Sequence, residues 1–219
     1  MSSTRSSQRN SPFATLRQFI REKAPVESCE LCSVALAASH HHLIEPASRK
    51  LVCACDACAI LFSGQQGTKY RRVPRLIRYL PDFRMTDAQW DSLMIPIRLA
   101  FFFNSTPDGR VIALYPSPAG PTESLLGLES WNEILQDNPI LKEMEPDVEA
   151  LLVNRVGGAR EQSKPEYYLV PIDECYKLVG LIRAHWRGLS GGTEVWEEIK
   201  QFFAYLNEQS TSIREASHA

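Results

Sequence analysis

Two Cys-x-x-Cys pairs, Cys29/Cys32 and Cys55/Cys58, with 22 residues between them, constrain this chain more than any other feature. With Cys53 added, five of the six cysteines and three consecutive histidines fall within the thirty residues from Cys29 to Cys58. A Cys-x-x-Cys turn points two thiolates to one side, and its backbone N–H groups face the sulfurs and spread their charge. Four such thiolates match the soft-ligand preference of Zn(II), held at about 2.3 Å. Disulfides are the competing explanation and fit poorly. The opening residues MSSTRSSQRNSP are polar with no apolar core behind them, so no secretory signal is expected.

The segment between the pairs holds two short apolar runs, around His42–Ile44 and Lys50–Cys53, joined by Glu45-Pro46-Ala47-Ser48-Arg49. That pattern predicts a small hairpin. Ala59-Ile60-Leu61-Phe62 then leads to Ser63-Gly64, which predicts a short helix with Cys55 and Cys58 at its first turn and Gly64 at its end. Knuckle, hairpin and helix in that order describe a treble clef; a zinc ribbon, with the second pair on a hairpin turn, is the close rival. Cys53 is a surplus thiol that either replaces one of the four ligands or sits buried as a small apolar side chain. His42 is the histidine nearest the chemistry, as an alternative ligand or as support for one, and His40 and His41 are expected to face solvent.

The same constellation resembles the scaffold of an HNH nuclease. Such enzymes carry a further His or Asn in the helix after the second pair, and here those positions are Ala59, Ile60, Leu61 and Phe62. Without that ligand no catalytic ion is held. The reading is a structural metal module and no enzyme.

Charge divides the chain. Residues 1–84 hold 13 Lys/Arg against 6 Asp/Glu, and residues 85–219 hold 11 against 20, within an overall balance of −2. A basic metal module thus precedes an acidic body, and the two can face each other or outside partners. The order predicted is a disordered tail (1–11), an N-terminal amphipathic helix (12–23) with the cysteine module (12–65 together), a basic connector (66–85) and an α+β body (86–219). The connector carries six positive side chains against one negative between Lys69 and Arg84. Arg71, Arg72, Arg75 and Arg78 are candidates for contacting a partner or phosphate, with Tyr70 or Tyr79 stacking on bases, but the near-neutral whole chain favours arginines that meet the acidic body.

In the body, Thr86-Asp87-Ala88-Gln89 reads as a capping box. Ile95–Phe103 and Arg110–Tyr115 flank a turn containing Asp108-Gly109 and predict a hairpin, with Phe101-Phe102-Phe103 on a strand covered on both faces. The proline-dense segment 116–124 reads as a rigid loop with Glu123 and Ser124 as binding candidates, and Ser130–Gln136 as a helix. Residues 147–154, which can also be read as helical, and 166–171 predict two more strands. Two helices close the chain, one carrying Cys175, Val179, Ile182 and Trp186, the next Trp196, Ile199, Phe203 and Leu206, with Thr193 as its cap. The fold class is α+β: a small treble-clef or zinc-ribbon-like module, then an antiparallel sheet covered by C-terminal helices. The longest apolar run, Leu93–Phe103, is 11 residues and contains Pro96 and Arg98, too short to cross a bilayer; a cytoplasmic protein without membrane insertion is expected.

The motifs CELC, LVCACDAC, AFFF, ALYPSPAGPTESLL, PDVEALLVNR, YLVPIDECYKLVGLIRAHWRG and SGGTEVW, in this order, resemble an uncharacterised bacterial family whose members are encoded beside NiFe-hydrogenase structural and maturation genes. The resemblance covers about residues 27–208. It implies an accessory role in hydrogenase assembly or function, with a hydrogenase subunit or maturation factor as the protein partner, and supplies no catalytic residues. Two other readings stay open: an iron or iron–sulfur protein using the five clustered cysteines for redox or cluster handling, and a nucleic-acid-binding zinc finger.

Overall fold

The computed structural model describes residues 27–63, 68–124, 128–156, 164–188 and 191–216. The tail and helix expected over residues 1–23, the helix-ending Gly64, most of the 157–165 loop and residues 189–190 lie outside them.

The cysteine-rich part begins with the Cys29–Cys32 turn. Its hairpin follows, strand β1 (His41–Glu45) paired antiparallel with β2 (Lys50–Ala54), and then helix α1 (Asp56–Ser63). Period-two alternation gives the hairpin two working faces. Leu43, Val52 and Ala54 turn toward Cys29, Cys58 and Ala59 and make a small core of their own. Ile44 and Leu51 turn the other way and join the core of the body.

The basic connector is two stitches. Strand β3 (Arg71–Arg72) adds to the free edge of β1, and β4 (Arg78–Tyr79) adds to a second sheet. That sheet has six antiparallel strands in the order β4-β9-β8-β5-β6-β7, with β5 at Leu99–Ser105, β6 at Arg110–Ser117, β7 at Gly120–Ser124, β8 at Glu149–Asn154 and β9 at Glu166–Pro171. Its faces are covered separately. Phe101, Phe103, Leu152, Tyr168 and Val170 pack against α4 (Ile172–His185) and α5 (Gly192–Ala216). Phe102, Ala113, Leu151, Val153 and Leu169 pack against Trp90 of α2 (Asp87–Ser92), Trp131 and Ile134 of α3 (Leu128–Asp137), and Leu141 of a 3-10 turn (Pro139–Glu143). The alternation of Phe101 and Phe103 against Phe102 is the signature of a strand buried on both sides. The capping box forms, with Thr86 accepting from the Gln89 N–H and the Gln89 side chain accepting from the Thr86 N–H.

Four expectations are corrected. The first hairpin strand starts at Leu99, not Ile95, and continues through Asn104 and Ser105, because these two pair with Val111 and Arg110 and leave only Thr106–Gly109 for the turn. Residues 116–124 are no loop: β6 runs on to Ser117, Pro118-Ala119 turns the chain, and β7 returns along it. Proline is compatible there because β7 is the sheet's last strand and half of its N–H groups face away from the ladder. On α5 the buried stripe is Val195, Ile199, Phe202, Phe203 and Leu206, while Trp196 is 43% exposed. Thr193 lies inside that helix, which already begins at Gly192.

The turn between α4 and α5 depends on Gly191. Its φ is +88°, and a Cβ placed there would stand 2.9 Å from Val195 Cγ1 and 3.2 Å from the Trp186 ring. Both the left-handed backbone and the clash with a packed aromatic penalise any side chain. Gly191→Ala is expected to lower the unfolding free energy by about 2 kcal/mol, read as a shift of the urea midpoint at unchanged slope; an unshifted midpoint would contradict this packing.

Candidate metal centre

The sulfurs of Cys29, Cys32, Cys55 and Cys58 converge, each within 4.8 Å of the other three. Cys32 Sγ and Cys55 Sγ stand 3.7 Å apart. Ligands on a tetrahedral ion at about 2.3 Å lie about 3.8 Å from one another, so this edge already has the length that an ion would impose. The four cysteines form a site able to hold a metal ion.

The local backbone explains the convergence. Cys29 C=O accepts from the Ser33 N–H at 2.7 Å, the Cys29 N–H donates to Val34 C=O at 2.8 Å, and Ser33 takes a φ of +64° that closes the knuckle. Glu30, between the first two cysteines, fixes this turn to the hairpin from both ends. Its N–H donates to Cys53 C=O, and its carboxylate accepts from the Cys53 N–H, each at 2.9 Å. The second pair straddles the start of α1, where Cys55 C=O accepts the Ala59 N–H at 2.8 Å. Cys29 and Cys58 are buried, and Cys32 is exposed.

Four thiols this close cannot all ionise without a cation among them. Burial opposes ionisation of Cys29, yet the N–H groups of Cys55, Leu31 and Cys32, helped by the Cys32 thiol, outweigh it and draw that thiol down to about 6. Cys58 moves the opposite way, pushed up to about 12 by burial and then by the thiols of Cys32, Cys55 and Cys29. Cys32 is raised as well: a bond from Val34 favours its thiolate, but Cys29, burial and Cys55 prevail. One thiolate forms readily and its neighbours resist, a frustration that a divalent ion would relieve.

Cys53 is not among the four. Its Cα partner across the hairpin is His42, and its thiol, held up by burial and then by Glu30, groups with His40 and His42. His40 and His41 are not the solvent-facing residues expected: their side chains are only 9% and 13% exposed. His41 pairs with Asp56 at 3.1 Å and lies against Arg72 and Arg75, so burial first and these guanidinium groups next lower its pKa. His42 reaches across to the body, where its Nδ1 stands 2.6 Å from Asp173 Oδ2.

The candidate arginines separate into two pairs. Arg71 binds Glu145, Asp147 and the Pro146 carbonyl, and Arg78 binds Glu143 and Glu149, so both meet acidic groups of the body. Arg72 and Arg75 turn to His41. Glu123 of the proline-rich hairpin bridges Arg49 and Arg110 at 3.2 and 2.7 Å, and Ser124 Oγ donates weakly to Leu93 C=O. Cys175 is buried in the body core and His185 Nδ1 donates to Leu181 C=O, so the two serve separate surroundings.

The residues that sequence reasoning missed are Glu30, Asp147 and Asp173. Glu30 was visible inside the CELC motif, but nothing local to the other two announces them. Asp173 lies 131 positions from His42. Among the described residues no helix is long and apolar enough to cross a membrane.

Neither the curated proteins nor the solved structures yield a significant match to this chain. A family model does match, over residues 28–210, which takes in the cysteine cluster, both sheets and most of α5. The chain therefore belongs to DUF5947, a family of unknown function.

Proposed function

We propose that the chain is a non-catalytic, cytoplasmic zinc-binding accessory protein whose treble-clef module presents a surface to a protein partner. Zinc on Cys29, Cys32, Cys55 and Cys58 would be structural, fixing knuckle and helix to one another. The observation that carries the reading is on α1. Ile60 and Leu61 are 70% and 69% exposed, and Phe62 follows at 44%, in a module whose own core is small. Three consecutive large apolar side chains exposed on one short helix favour burial against another protein. The sequence resemblance to a family encoded beside NiFe-hydrogenase genes makes a hydrogenase subunit or maturation factor the first partner to test.

The test is a binding titration between the purified chain and those subunits, repeated with the double variant Ile60→Asp/Leu61→Asp. Two charges on the docking face should weaken binding at least tenfold while zinc content stays at the wild-type value. Equal affinity of wild type and variant would remove α1 from the interface, and no binding to any hydrogenase component would overturn the choice of partner.

A further inference from the structure

The finger hairpin carries a second cluster on the face opposite its own core. His42 and Cys53 are Cα partners across β1 and β2, and His40 stands just before β1, two residues from His42. One ligand atom from each of His40, His42 and Cys53 lies within 4.8 Å of the others. The two imidazoles meet edge to face, with ring centroids 4.9 Å apart.

The hydrogen bonds decide which nitrogens are available. A carbonyl can only accept, so His40 Nδ1, 3.0 Å from Ala37 C=O, carries the proton and donates. A carboxylate also accepts, so His42 Nδ1 donates to Asp173 Oδ2 at 2.6 Å. In each neutral ring the lone pair is then on Nε2. Among the described residues, His40 Nε2 is buried without a hydrogen-bond partner, although a buried acceptor left unmatched is costly. A carboxylate that holds Nδ1 and so aims Nε2 is the usual support of a metal-binding histidine.

We propose that His40, His42 and Cys53 form a second metal site, separate from the four-cysteine centre, that holds one zinc-class divalent ion through two imidazole Nε2 atoms and one thiolate. Two nitrogens and one sulfur are a borderline-soft set suited to Zn(II) or Co(II). Ligand atoms around a tetrahedral ion stand about 3.5 Å apart, inside the 4.8 Å that already encloses these three. Both histidines also line a cavity of about 390 Å³, shared with Arg75, Asp173 and Glu174, between finger and body. With only three protein ligands, a fourth coordination position would be left for water or a small oxygen-donor ligand, unlike the four-cysteine centre. Asp173 is a positioning residue that acts through His42. The proposal does not rest on the partner-binding reading.

The experiment counts metal. Chain prepared with reductant, loaded with Zn2+ and freed of excess, should hold two ions, read by elemental analysis. His40→Ala, His42→Ala and Cys53→Ser should each hold one, with an unchanged circular dichroism spectrum. The retained ion is the four-cysteine zinc and shows that the variant has folded. A milder variant guards against loss of fold: Asp173→Asn should weaken only the weaker-binding equivalent, by about 10–100-fold, in a Co2+ titration that separates four-thiolate from mixed-ligand absorption. One ion in the wild type, two in all three variants, or loss of both ions in Cys53→Ser would overturn the second site. Failure of the four-cysteine centre looks different, because Cys29→Ser would then leave the count unchanged.

Discussion

Removing the structural ion proposed for the four-cysteine centre is expected to unfold the finger and leave the body standing. The finger's own core contains six buried residues, of which Cys29 and Cys58 are themselves ligands and Leu43 and Val52 are the large ones. Burying two such side chains contributes about 2 kcal/mol each, whereas ordering the backbone costs about 1–2 kcal/mol per residue. A structural zinc supplies an apparent 10–16 kcal/mol or so in small fingers, the largest single term available here. The body keeps two apolar layers and all four tryptophans, Trp90, Trp131, Trp186 and Trp196. A strong chelator, or Cys55→Ser, should therefore abolish amide-exchange protection over β1, β2 and α1 while tryptophan emission barely changes. Acid should act the same way. Metal binds thiolates, so as pH falls protons compete for the sulfurs, affinity drops and the finger opens. Full protection of the hairpin in metal-free protein at neutral pH would refute a structural role for the ion.

What was legible in the sequence depended on whether the signal was local. The spacing of Cys29, Cys32, Cys55 and Cys58 and the hairpin between them are short-range patterns, and the structure brings those four sulfurs together. The triple phenylalanine of β5 announced burial on both faces because consecutive side chains of a strand point to opposite sides. The proline-rich hairpin was misread because proline suggests loops, and only the sheet order shows that β7 is an edge strand where proline is tolerated. On α5 the pattern places Ile199, Phe203 and Leu206 inside, as the structure does, but puts Trp196 there in place of Val195: the indole is the larger apolar group, yet geometry buries Val195 and leaves Trp196 at the surface. His40 and His41 read as solvent-facing, yet Glu27 stands 3.6 Å from His40, and Asp56, Arg72 and Arg75 lie against His41. No pattern links His42 to Asp173 before the fold does.

The contact between Arg71 and Asp147, one of those that join finger to body, is expected to be the body's most sensitive polar feature. Asp147 is almost fully buried, with a side chain 3% exposed, and takes a φ of +65° just before β8. Its Oδ1 accepts from the Thr106 N–H at 2.8 Å, and its Oδ2 accepts from Thr106 Oγ1 at 2.6 Å and from Arg71 at 3.1 Å. Arg71 belongs to β3, the strand added to the finger's sheet, and also donates to Pro146 C=O at 2.7 Å. One carboxylate therefore closes the turn after β5 and fixes the finger's outer strand. Asp147→Ala would leave two Thr106 donors without their acceptor, remove one of the three acceptors of Arg71 and place a β-carbon residue without local hydrogen bonding at positive φ. The expected loss is about 3 kcal/mol, at the lower end for breaking a buried pair because Arg71 is one-third exposed. Arg71→Ala should cost about 1–2 kcal/mol, since Asp147 keeps both Thr106 bonds. Asp147→Asn, which tolerates the left-handed backbone and keeps one acceptor, should fall between wild type and Asp147→Ala. Urea unfolding of the four proteins measures this order. A stability for Asp147→Ala within about 0.5 kcal/mol of wild type, the range of ordinary surface substitutions, would show that the finger is held to the body by apolar packing at Ile44 and Leu51 and by the His42–Asp173 and Arg49–Glu123 pairs, without help from Asp147.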